Sequence, residues 1–145
     1  MSLNPTPIYE GTSPLVSDRY IITMIAASAI TMGQALELVP GSNWNVQVPT
    51  TNPSAHFIGF ALNNAASGAA VSVVCRGVCR AIAGGTIAVG DQLVTTTSGQ
   101  VLTESTAPTE TSYASVATDI NNARSIIGLA VTAASSGGTV YVLLF

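Results

Sequence analysis

The residues best able to do chemistry in this chain are few: one histidine, His56, and two cysteines, Cys75 and Cys79. A Ser-His-Asp arrangement would have to use His56, which directly precedes Phe57 at the edge of a strand-like run. No Gly-x-Ser-x-Gly elbow is present to expose a serine nucleophile. His56 therefore reads as a structural or surface residue. Together with Cys75 and Cys79 it supplies three soft ligands, at a spacing that matches no zinc pattern. If both cysteines lie on one extended strand they sit about 13 Å apart, at roughly 3.3 Å per residue, beyond disulfide reach. They read as small buried apolar residues. The carboxylates Glu10, Asp18, Glu37, Asp91, Glu104, Glu110 and Asp119 are dispersed, with no close sequence pair of the kind a glycosidase needs. Gly84-Gly85 lacks the Lys and Ser/Thr of a phosphate loop. The expectation is a protein without catalytic residues, metal, cofactor or small-molecule substrate.

Composition points the same way. Of the 145 residues 8% are charged, against about 25% in ordinary soluble proteins. There is no lysine, and the cations are Arg19, Arg76, Arg80 and Arg124. Ala, Ser, Thr and Gly, with Val and Ile, take the place of charge. Such a surface has little repulsion to keep copies apart. Two readings fit it: an outside largely covered by partners, or a neutral monomer solvated by Ser and Thr. A net charge of −3 with scattered arginines gives no basic stripe, which argues against nucleic acid. No apolar run reaches membrane-spanning length; Thr23 and Ser28 interrupt the nearest, Ile21 to Ile30. Met1-Ser2-Leu3-Asn4-Pro5 has no basic segment leading into an apolar stretch, so it does not read as a secretory signal, and assembly in a cytoplasm is expected.

The elements that would hold these residues are short. Residues 1–19, with Pro5, Pro7 and Pro14, read as an extended arm whose Ile8, Tyr9, Leu15 and Val16 suit docking on a neighbour. A domain over 20–145 follows, made of short apolar runs punctuated by Gly, Pro, Asn and Ser. Strands are expected at Tyr20–Ile25, Ala35–Val39, Asn45–Val48, Phe57–Leu62 and Ala70–Cys75. Five more are expected at Val78–Ile82, Gln92–Thr96, Gln100–Thr103, Ile126–Thr132 and Thr139–Leu144. After Pro108, Tyr113, Val116, Ala117 and Ile120 have the spacing of one helix face, so a short helix or an ordered excursion is expected there.

The most informative pattern is an echo. Ile58-Gly59-Phe60-Ala61 returns as Ile127-Gly128-Leu129-Ala130, a shift of 69 residues. At that shift Ala65, Ser67, Gly68, Val71 and Val73 meet identical residues at 134, 136, 137, 140 and 142. Ahead of each copy, Ile30-Thr31-Met32-Gly33-Gln34-Ala35-Leu36 resembles Ile87-Ala88-Val89-Gly90-Asp91-Gln92-Leu93, at a shift of 57. Gly33 and Gly90 suit turns of positive φ, with Gln34 or Asp91 bonding the turn backbone. Gly59 and Gly128 fall inside strands, where glycine marks a bulge or the close approach of another backbone. Gly68 and Gly137 turn the chain into the next strand. Two pseudo-repeats, about 30–77 and 87–145 with an insertion near 106–122, predict an all-β fold: a small barrel or sandwich with an extended N-terminal arm.

These residues carry a family resemblance. The run IGFALNNAASGAAVSVVCRGVCRAIAGGTIAVGDQLVTTTSGQV, followed late by IIGLAVTAASSGGTVYVLLF, resembles the small capsid decoration (cement) proteins of tailed bacteriophages. Gly59 and Ala61, Gly77, Gly90, Asp91 and Leu93, and Gly128 and Ala130 occupy the places of that pattern over roughly Tyr20 to Phe145. The resemblance implies a β-rich virion subunit on the outside of an assembled shell, bridging the phage major capsid protein. It also implies homo-oligomers, with a trimer favoured and a dimer possible.

For the subunit interface the aromatics Trp44, Tyr141 and Phe145 are the candidates, with core packing the alternative for Trp44 and Tyr141. Arg76 and Arg80, four apart on a strand, are either a solvated face or an anchor for acidic groups of a partner. A second class of function is a glycan- or receptor-binding fibre or adhesin module, for which Trp44 with Asn43 and Asn45 is the candidate cluster.

Overall fold

The computed structural model describes residues 20–104, 117, 120 and 125–145. Over these residues the chain forms β1 (Tyr20–Ala26), β2 (Ala35–Leu38), β3 (Asn45–Gln47), β4 (Phe57–Ala61) and β5 (Ala70–Ile82). It continues as β6 (Gln92–Thr95), β7 (Val101–Thr103), β8 (Gly128–Ala130) and β9 (Thr139–Leu144). Ala117 and Ile120 are helical; the rest of the 106–122 insertion and the 1–19 arm lie outside the described residues. The protein is all-β and built of two repeated units, as the echo predicts.

Alternation drives the first unit. In β1, Met24 and Ala26 point inward while Ile21, Thr23 and Ile25 stay exposed. The order β1-β3-β2-β4-β5 closes on itself, because β1 pairs parallel with β3 (Ala26↔Val46) and antiparallel with β5 (Ile22↔Val73). The five-stranded barrel encloses Met24, Leu36, Val46, Ala61, Val71 and Val73. Each large aliphatic side chain so buried contributes about 1.5–3 kcal/mol. That burial holds the barrel together.

The second unit repeats the arrangement around the C-terminal half of β5. That half pairs with β9 (Cys79↔Val142), β9 with β8 (Leu129↔Leu143), β8 with β6 (Leu93↔Gly128) and β6 with β7 (Val94↔Leu102). A parallel bridge, Ala83↔Val101, then brings β7 back beside the end of β5.

The runs Ala70–Cys75 and Val78–Ile82, expected as separate strands, are one 13-residue strand. The reason is local. Tyr20 faces Arg76 while Ile21 faces Val74, so Cys75 is bulged out of register. Gly77 follows at φ +97°. A bulge and a glycine in a conformation that L-residues avoid bend the strand from one unit into the next without leaving the sheet. Gly77→Ala is accordingly expected to cost about 1–2 kcal/mol in urea unfolding. A variant as stable as the parent would contradict this account of the bend.

The echo in sequence is an echo in hydrogen bonds. Ile30 N–H donates to Ala65 O at 2.8 Å, and Ile87 N–H to Ala134 O at 2.8 Å. Thr31 N–H donates to Gln34 Oε1 at 2.8 Å and Ala88 N–H to Asp91 Oδ2 at 2.9 Å. Gly68 N–H reaches Ala26 O at 2.7 Å, as Gly137 N–H reaches Ala83 O at 2.7 Å. The matching pairs Ile22↔Val73 and Cys79↔Val142 extend the equivalence to β1 and the second half of β5. Unit one is therefore β1–β4 with the start of β5, and unit two the rest.

The units also interlock. Ala35, Phe60 and Val74, on the outside of unit one, join the core formed by Cys79, Leu93 and Val142 of unit two. The turn before β7 lies on unit one: Ala35 N–H donates to Gly99 O at 2.7 Å, and Gln34 Nε2 to Ser98 O at 3.3 Å.

Candidate functional site

Where the two units meet, an open cleft of about 750 Å³ is lined by the Thr51–Ala55 loop, Phe57 and Ile58, Cys75, Ser125–Ile127 and Phe145. The loop is fixed by Glu37, a carboxylate 1% exposed in β2. Its Oε1 accepts from Gln47 Nε2 at 3.0 Å, Thr50 N–H at 3.0 Å and Thr50 Oγ1 at 2.8 Å, and its Oε2 from Ser54 Oγ at 2.5 Å. Ser54 N–H in turn donates to Thr95 Oγ1 of unit two at 3.0 Å. Burial pushes the Glu37 carboxyl up, but the bonds from Ser54, Gln47 and Thr50 together outweigh it and hold the carboxyl below its ordinary value. An ionised group whose oxygens are already engaged this way is a fastener.

In the sequence Glu37 is one of seven dispersed acids. The available signal was its place in Ala35-Leu36-Glu37-Leu38, where flanking apolar residues carry the acid into a barrel wall.

The remaining polar groups are apart from one another. His56 is exposed, and its backbone N–H donates to Ser54 Oγ at 3.2 Å. Cys75 is half-buried in the cleft and Cys79 fully buried, neither of them in a disulfide; burial pushes the Cys75 thiol up, away from the thiolate that would attack or bind metal. Asp91 closes its turn: the Ala88 N–H and the Thr103 hydroxyl, at 2.7 Å, hold its carboxyl low. Among the described residues no three His, Cys, Asp or Glu side chains group as metal ligands, and no helix is long and apolar enough to cross a membrane.

Apolar exposure is the surface's dominant feature. Trp44 is 66% exposed and stands at φ +62°, a conformation that costs a bulky residue energy. It is not core. Its carbonyl accepts from Ile25 N–H at 2.9 Å, which sets it beside the exposed Ile25 of β1. Phe145 is 64% exposed at the cleft rim, and Tyr141 is half-buried. Arg76 and Arg80 are both exposed on β5. Ile8, Tyr9, Leu15 and Val16 lie outside the described residues. Gly33, Gly68, Gly90 and Gly137 have φ between +81° and +90°, whereas Gly59 and Gly128 are demanded by close packing. The structure thus sets Trp44 beside the C-terminal end of β1 and Phe145 at the cleft without bringing them into one cluster.

A family model described as phage cement protein matches residues 16–144. The chain belongs to that family. This cement protein is thus a phage structural protein associated with the capsid, and its place is the virion. Among curated proteins nothing matches the chain. Among solved structures it is similar to the head fiber gp8.5 N base in bacteriophage phi29, with a TM-score of 0.58 over 88% of this chain and 95% of that one. At 19% identity the likeness is one of fold.

Proposed function

We propose that this cement protein attaches to the outside of an assembled phage head and stabilises the shell by bridging neighbouring major capsid subunits, acting by contact and without catalysis. The observation that carries the reading is large apolar side chains left exposed on both units of a chain with 8% charge. Water is a poor partner for such a surface, and another protein is a good one. A standard interface buries roughly 1,200–2,000 Å², and repetition over a shell turns modest single contacts into lasting attachment. Trp44 and Phe145 anchor the contact, Arg76 and Arg80 meet acidic groups on a partner, and the arm residues Ile8, Tyr9, Leu15 and Val16 dock on a neighbouring subunit. The protein is made and assembled in the host cytoplasm and acts as a homo-oligomer, with a trimer favoured over a dimer.

The test is co-sedimentation with empty heads of its own phage. Removing residues 1–19 abolishes pelleting while the domain stays folded by circular dichroism. Trp44→Ala weakens binding by ~30-fold, as loss of a buried aromatic anchor does. Full pelleting by both variants would overturn the reading.

The exposure of Trp44 beside the exposed Asn43 also favours a second reading, glycan binding. Against it, the Asn45 amide already donates to Ser42 Oγ at 2.5 Å. Glycan binding that disappears in Trp44→Ala, with head binding unchanged, would select this reading instead.

A further inference from the structure

The contact between the two units has an unused copy of each half at the two ends of the chain. Within the chain, unit one gives a face to unit two. Phe60 and Val74, at the centre of that face, are 1% and 0% exposed. Shifted by 69 residues, their counterparts on unit two are Leu129, which is half-buried, and Leu143, which is 41% exposed. Shifted by 57, the buried Ala35 becomes the exposed Gln92. A Cβ on Gly33 would meet the Ile82 side chain at 3.4 Å, whereas one on its counterpart Gly90 would meet nothing within 4 Å. The giving face recurs, uncovered, on unit two.

The receiving face recurs on unit one. Thr95, sealed at 0% exposure where unit two meets Ser54, corresponds to Leu38, which is 41% exposed. Ile82 corresponds to Ile25, 46% exposed. The turn carbonyl of Gly99, which accepts from Ala35, corresponds to that of Ser42: Ser42 N–H donates to Val39 O as Gly99 N–H does to Thr96 O. Leu144, buried in the core that the two units share, corresponds to Cys75, which lines the open cleft.

We propose that a second copy of this chain docks head to tail, the outer β8–β9 face of one copy seating on the outer face of β1 at Ile25, the turn at Ser42 and the Cys75 wall of the cleft of the next, as unit one seats on unit two within the chain. A face of this shape is fitted within the chain by its internal complement, and another copy presents that complement with Leu38 and Ile25 exposed. Both ends remain apolar at Leu143, Leu38 and Ile25, where a solitary chain would gain solubility from charge. Because the two faces differ, the contact is heterologous, and a chain of such contacts closes into a ring if the rotation permits. The inference rests on the homo-oligomer of the proposed function and names its interface.

The internal bond from Ala35 N–H to Gly99 O places Gln92 of one copy against Ser42 of the next, within the roughly 4.4–6.8 Å Cα spacing of a disulfide. In full-length chains carrying Cys75→Ala, Ser42→Cys protein is mixed with Gln92→Cys protein and oxidised, free in solution and bound to heads. The mixture yields linked pairs, and either protein alone stays unlinked. Leu143→Asp, at a surface position, reduces the mass in light scattering to one chain while circular dichroism shows the fold unchanged.

Absence of linkage in both settings, or Ser42→Cys linking to itself through a two-fold contact, would overturn the proposal. If linkage forms but heads are not bound, the capsid reading fails and the interface stands. If heads are bound by unlinked single chains, the interface fails and the capsid reading stands.

Discussion

Gly59→Ala is expected to destabilise the protein by about 3 kcal/mol or more. A Cβ at Gly59 would lie 2.1 Å from the Val74 carbonyl oxygen and 2.8 Å from its carbon. Those atoms belong to the neighbouring strand of the same ladder, where Phe60 pairs with Val74, so relief requires prising β4 from β5. Both strands are part of the closed barrel, and Phe60 and Val74 also fill the core of unit two. Gly128→Ala meets the Leu143 oxygen at 2.2 Å and is expected to cost less, because β8 is only three residues long. Gly41→Ala is the control: its φ is +78° but nothing lies within 4 Å, so the cost is the roughly 1–2 kcal/mol of the left-handed backbone. Urea titrations of the three variants measure the order. A Gly59→Ala protein no less stable than Gly41→Ala would contradict the close approach.

Replacing Glu37 is the second large effect. Glu37→Gln leaves the Ser54 and Thr50 donors facing an amide that can satisfy only part of them, and the expected loss near neutral pH is about 3 kcal/mol. The pH dependence follows from the direction of the shift. The carboxyl titrates lower in the folded chain than at its unfolded value near 4.5. Its stabilisation is therefore complete above the unfolded value and is lost as the pH falls through the lower, folded one. The stability gap between parent and Glu37→Gln should be constant from neutrality down to about pH 5 and shrink in more acid solution. A gap that stayed constant into strong acid would show that Glu37 does not carry the charge assigned to it.

Much of this architecture was legible in the residues. The spacing of Gly33 and Gly90, and of Ile58-Gly59 and Ile127-Gly128, marks the same turns and crossings twice, since few side chains fit a positive φ or a backbone contact. The strand runs were legible because alternation in Tyr20–Ala26 or Ala70–Val74 records an inner and an outer face. The continuity of β5 was not: Gly77 punctuates a sequence in the same way whether the chain turns or only bends, and the pairing with β1 and β9 decides between them. Glu37 was missed for a related reason. Its partners at Gln47, Thr50 and Ser54 are gathered by a loop whose path only the fold defines. Exposure of Trp44 was equally hidden, because an aromatic near a turn has the same signature in a core as on a surface. The uncovered faces at Leu143 and Ile25 emerge only when the two units are laid over each other.

The central claim is that this protein strengthens a phage head by touching it. The direct measurement heats DNA-filled heads with and without the protein and follows dye binding to released genome. Release is expected at a distinctly higher temperature with the protein bound. Identical release curves, with the protein present on the heads, would contradict it.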